Sequence, residues 1–225
     1  MSVRILLSVA CISTVVVAAE KPTISYKPAS SGDDDRPVMT RIVAGAQGTD
    51  YAFKLDFDKL PWGEECKTHC ANATLFIDAD NNKTTGLKLA DEKAAETGAD
   101  LVITLQGTRT LDEGTHKPIL KVKVSGYPET ATSVEEAEQI AELDPVNDSE
   151  RVLSSDNSVY LLIDGNSGNI PTGKLMRVIY HPPGSKPLSG TAKGLATPTG
   201  QRVELFKDGK LSNPVVKKKS VYEKL

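Results

Sequence analysis

The sequence predicts a mainly β protein: two antiparallel sheets packed face to face as a β-sandwich of jelly-roll or immunoglobulin-like type, with one short inserted helix. Short apolar runs of period two recur from residue 38 onward, and turn-forming residues separate them. Loops, not long amphipathic helices, join the runs, which favours antiparallel pairing.

The clearest strand spans 51–57. Tyr51, Phe53, Leu55 and Phe57 alternate with Ala52, Lys54 and Asp56, so one side faces a core and the other solvent. Further strands are expected at 40–46, 73–78, 100–106, 119–125, 151–154, 158–164, 174–181 and 201–206, about nine in all. The helix is expected from Ser133, which forms a capping box with Glu136. Val134, Ala137, Ile140 and Ala141 then share one side, and Asp144-Pro145 ends it. A shorter helical turn is expected at 89–96.

The chain begins with a basic residue, Arg4, and an apolar stretch from Ile5 to Val17, followed by Ala18-Ala19 before Glu20. This three-part pattern predicts a cleavable secretory signal peptide at 1–19, and hence a secreted or periplasmic protein. The stretch falls short of the ~20 apolar residues that cross a bilayer, so no integral membrane segment is expected after cleavage. Residues 20–37 are rich in Pro, Ser, Gly and Asp and are expected to be a disordered linker. The β-sandwich domain is then expected at 38–207, with a loosely attached tail at 208–225. The net charge of −3 gives no electrostatic reason to expect nucleic acid as a partner.

The strand at 73–78 runs into Asp78-Ala79-Asp80-Asn81-Asn82-Lys83-Thr84-Thr85-Gly86. Oxygen-bearing side chains at Asp78, Asp80, Asn82 and Thr84 suit a hard cation, and calcium, which takes six to eight oxygens, is the candidate cofactor. It is not a helical calcium hand, because Lys83 stands where that loop needs glycine and Leu89 where it needs glutamate. The other reading is that Asp and Asn side chains bond the backbone and shape a turn, with Gly86 supplying a positive φ.

Cys66-Lys67-Thr68-His69-Cys70 holds the two cysteines that remain once Cys11 leaves with the signal peptide. In an exported chain, Cys66 and Cys70 are expected to form a disulfide. The alternatives are a metal site that uses Cys66, His69 and Cys70, or a redox pair, although thioredoxin-type chemistry spaces its cysteines by two residues. Trp62, the single tryptophan, is the candidate ligand-binding platform, or else a lid on the core. No Gly-x-Ser-x-Gly or His-Glu-x-x-His occurs around His69, His116 or His181, so no catalytic residue is assigned and the protein is expected not to be an enzyme.

A strand ending in Asp78-x-Asp80-x-Asn82, then Thr85-Gly86, then Gly98-Ala99-Asp100 opening another strand, resembles family-nine-type carbohydrate-binding modules and DOMON domains. Val159 to Ile163, followed by Ile170-Pro171-Thr172-Gly173 and the strand from Leu175 to Tyr180, is similar to the late strands of that group. The resemblance covers residues 38–206 and implies an exported binding or structural module, with a glycan or envelope component as partner. The alternative it implies is a haem-binding or electron-transfer domain, for which Met176, His181 and His69 are the candidate axial ligands.

Overall fold

The computed structural model describes residues 21–28, 36–62, 70–91, 93–112, 115–197, 206–207 and 210–211. The expected signal peptide, Cys66 and His69 lie outside them, as do most of the tail and residues 201–205 of the last expected strand.

Two antiparallel sheets make the expected sandwich. The five-stranded sheet has the order β1 (Ile24–Ser25), β2 (Met39–Gln47), β3 (Asp50–Phe57), β9 (Ser158–Asp164), β8 (Val152–Ser155). The six-stranded sheet has the order β11 (Leu188–Lys193), β10 (Leu175–Tyr180), β4 (Asn72–Asp78), β5 (Leu101–Asp112), β6 (Thr115–Gly126), β7 (Glu138–Leu143). The chain builds β2 and β3, crosses to lay down β4 to β7 as a meander, returns for β8 and β9, and crosses again for β10 and β11. A small hairpin, β12 (Phe206–Lys207) with β13 (Lys210–Leu211), belongs to neither sheet.

Period-two alternation builds the core. Tyr51, Phe53 and Leu55 of β3 are fully buried against Leu75 and Ile77 of β4, Leu101, Ile103 and Leu105 of β5, and Met176 and Val178 of β10. Each such side chain contributes about 1.5–3 kcal/mol by leaving water. The hairpins are closed by residues that tolerate a left-handed backbone: Gly48 (φ 57°) starts the turn from β2 to β3, and Asp156 (φ 50°) the turn from β8 to β9. Among the described residues no helix is long and apolar enough to cross a membrane.

The structure differs from the expected elements in several places, and β5 and β6 pair well beyond their expected bounds, to Asp112 and Thr115. The helix after Ser133 is a single 3-10 turn, Val134–Glu136, and the residues after it form β7. Ser133 accepts from the N–H of Glu135, while Glu136 turns back to accept from Thr132, so the expected capping box does not form. The described residues of 89–96 hold tight turns and no helix, with Ala94 N donating to Asp91 O and Thr97 N to Ala94 O. Ile24–Ser25, within the segment expected to be a linker, pairs with Ile42 and Arg41 of β2. β11 was not expected, because Leu188–Lys193 carries too few apolar residues to show a strand pattern.

Candidate metal centre

Asp78 is the last residue of β4, and Asp100 stands immediately before β5. Ile77 pairs with Leu101, so one step further Asp78 faces Asp100. On the other side of β4, Arg177 of β10 is the register partner of Asp78. Three charged residues therefore form a row across three adjacent strands, on the side of the sheet away from the sandwich core. Asp80, two residues beyond β4, completes a cluster in which Asp78, Asp80 and Asp100 each offer an oxygen, all within 4.8 Å of one another.

Asp78 is 0% exposed and Asp100 3%. Burial of this kind disfavours charge unless each oxygen is matched. Arg177 supplies part of the match: Nε donates to Asp78 Oδ2 at 3.2 Å, and a terminal nitrogen lies 3.0 Å from the same oxygen. The guanidinium also donates to the carbonyl of Thr97, which ties the loop before β5 to the sheet. Asp78 Oδ1 accepts from Asn82 N at 2.9 Å, and Asp100 Oδ2 accepts from Ala79 N at 2.7 Å.

These contacts do not cancel the cost of gathering three carboxylates. Burial pushes the Asp100 carboxyl up to about 7; the N–H donors of Ala79 and Asp80 pull it down, and the charges of Asp80 and Asp78 push it up again. Asp78 is also raised, chiefly by burial, although Asn82 N–H and Arg177 oppose the shift. Tyr51, whose hydroxyl donates to Pro171 O at 3.3 Å, is held well above the ordinary phenol range by burial and then by Asp100 and Asp80.

The loop's shape depends on close backbone approaches. Asn81 (φ 56°) takes the left-handed conformation at the tip. Gly86 (φ 62°) lies so near the next segment that an added Cβ would stand 2.2 Å from Ala99 O. At Gly173 an added Cβ would stand 2.6 Å from the Cα of Asp80, so the segment before β10 packs directly against the backbone of the loop.

Of the expected metal ligands, the structure brings Asp78 and Asp80 together, and bonds the side chains of Asn82 and Thr84 to each other. The Asn82 side-chain oxygen accepts from Thr84 N at 3.1 Å and from Thr84 Oγ1 at 2.8 Å, and both residues are exposed. They form the side-chain turn that was the other reading of this loop. Asp100 takes the place of a third carboxylate, and sequence spacing within the loop could not find it. The available signal was its position one residue before a strand that pairs with β4.

Trp62 is 8% exposed and packs in the main core, so it stands as a lid and not as an exposed platform. Cys70 is buried and is not free, while Cys66 lies outside the described residues. Met176 is fully buried in the core, whereas His181 is outside it, paired with Glu96 and edge-on to Phe76 at 6.2 Å. The two face opposite sides of the sheet and do not converge on one point. No protein-family model, curated protein or solved structure matches the chain, and the resemblance to carbohydrate-binding modules and DOMON domains rests on the quoted motifs.

Proposed function

We propose that the chain is a non-enzymatic binding or structural module, secreted or periplasmic, whose loop end is organised by a calcium ion held by Asp78, Asp80 and Asp100. The observation that carries this reading is the convergence of three carboxylates, two of them buried, at the end of β4 and β5. A divalent cation there would relieve the repulsion that the single bonded guanidinium leaves in place. Carboxylate oxygens on an irregular loop suit the flexible coordination of calcium better than the strict octahedron of magnesium. Bound calcium would fix the approach of the loop, of Gly173 and of the segment before β5, and present a rigid surface to a glycan or envelope component.

The disulfide between Cys66 and Cys70 is proposed with it, supported by the state of Cys70, which is buried and engaged. Such a bridge closes a small loop just before β4 and staples it locally.

Calorimetric titration of the metal-free protein with Ca²⁺ tests the proposal. A saturable heat, together with a thermal transition that falls on adding EDTA, is expected. Absence of both, with Asp100→Asn behaving like the parent, would remove calcium from the reading.

A further inference from the structure

The five-stranded sheet has buried side chains on its outward side. Ala52, Lys54 and Asp56 alternate with the core residues of β3 and so point away from the sandwich. Their register partners share that side: Leu162, Tyr160 and Ser158 in β9, and Gly45, Val43 and Arg41 in β2. Ala52 is 0% exposed, Tyr160 1% and Val43 3%, and Ala52 and Tyr160 pack with Leu153 and Leu162 in a cluster separate from the main core. A tyrosine on an open sheet face keeps much of its ring in water. Burial this complete means that the face is covered.

Each described strand of the two sheets is paired within its own sheet. The β12–β13 hairpin is the described strand pair that belongs to neither sheet. The chain also arrives at the right end of the molecule. Leu195 packs where an added Cβ on Gly165 would stand, 2.1 Å from Leu195 Cδ1, and Thr49 O is 2.7 Å from the same point. Gly165 follows β9 and Thr49 precedes β3, so this is the edge at which both strands end. Thr197 is fixed at the start of β10, its hydroxyl donating to Lys174 O at 2.7 Å. Residues 198–205 then separate Thr197 from Phe206. Eight residues span up to about 29 Å when extended, enough to reach any point along an eight-residue strand.

We propose that the β12–β13 hairpin seats on the outward face of the five-stranded sheet, over Ala52, Leu153, Tyr160 and Leu162. This face is then an internal docking surface for the chain's own C-terminal segment. The outward side of the other sheet is covered at one end, where Leu87, Ala99, Tyr127 and Ala131 pack with Phe76 and Val102, while Gln106, Lys121 and Lys123 on that side are exposed.

A photoreactive benzoylphenylalanine replacing Leu153 in the full chain tests this, with adducts mapped by mass spectrometry. Leu153 is the register partner of Tyr160 and is only partly buried. Intramolecular adducts to residues 198–225 are expected. Adducts confined to residues 1–37 or to a second copy, or none at all, would overturn the proposal. As a second measurement, a chain ending at Thr197 should bind a hydrophobic dye several-fold more strongly than the parent, and Tyr160→Ser in that shortened chain should cancel most of the gain. A folded shortened chain with parental dye binding would also overturn it.

Discussion

Arg177 and Asp78 are register partners across β10 and β4, with guanidinium and carboxylate 3.0 Å apart, and the carboxylate is almost wholly buried. A pair of this kind contributes modestly as a pair, but removing one member strands the other charge. Arg177→Met is therefore expected to destabilise the metal-free protein by about 3–5 kcal/mol. Saturating Ca²⁺ should restore part of that loss, because the cation takes over the neutralisation of Asp78. Urea denaturation with and without Ca²⁺ checks both statements, and equal losses in the two conditions would separate Arg177 from the cation site.

Asp100→Asn and Asp80→Asn each keep the side-chain volume and remove a charge from the cluster. The parent is expected to gain about 2.7 kcal/mol from Ca²⁺ at a hundredfold excess over Kd, and either substitution is expected to abolish that gain. Without calcium, Asp100→Asn should be no less stable than the parent at neutral pH, since it removes a repelled, buried carboxylate. Thermal denaturation across a Ca²⁺ series separates these effects.

Asn82→Ala tests the division of labour within the loop. The side-chain oxygen of Asn82 holds Thr84 through two hydrogen bonds and lies on the exposed side of the turn. The substitution is expected to cost about 1 kcal/mol in stability and to leave the calcium response in place. Loss of that response at parental loop stability would return Asn82 to the ligand set.

Much of this architecture was legible in the chain because alternation and turn chemistry are local. The strand 158–164 was read to its observed bounds, and the core side of 51–57 followed from four alternating aromatic and aliphatic residues. The segment after Ser133 misled for a physical reason. Val134, Ala137, Ile140 and Ala141 satisfy helical spacing, yet Gln139 and Ala141 pair with Ser125 and Val124 on the free edge of β6, with a bulge between them. Tertiary pairing outweighs local preference there. Asp100 and Arg177 were missed as site residues for a related reason. Their approach to Asp78 is set by strand register across the sheet, at separations that spacing within one loop does not contain.

Gly86→Ala should disturb the fold of the loop strongly, because Gly86 is buried. The residue has φ 62°, and an added Cβ would meet the backbone oxygen of Ala99, which has no flexible end to move. The loss is expected to exceed about 1 kcal/mol and to weaken calcium binding, because Gly98 N and Leu87 N are bonded in the same crossing. A calorimetric Kd that matched the parent would show that the cluster forms independently of this crossing.

The pH dependence of stability follows from the raised carboxyl of Asp100. The unfolded chain releases this proton near pH 4, while the folded chain holds it up to about 7. Between those values the folded state binds more protons than the unfolded one, so metal-free stability falls as pH rises through the window, by at most about 1.4 kcal/mol for each pH unit crossed. Asp78, raised in the same direction, adds to the slope. Calcium held by this cluster would reverse the preference: the ion takes ionised carboxylates, so it would have to displace the proton, and its affinity is expected to climb over the same interval. Denaturation midpoints measured from pH 4 to 8 should therefore fall in EDTA and flatten or rise in Ca²⁺, and Asp100→Asn should lose most of the difference between the two curves. Parallel curves in the parent protein would show that the cation and the proton do not compete for this cluster.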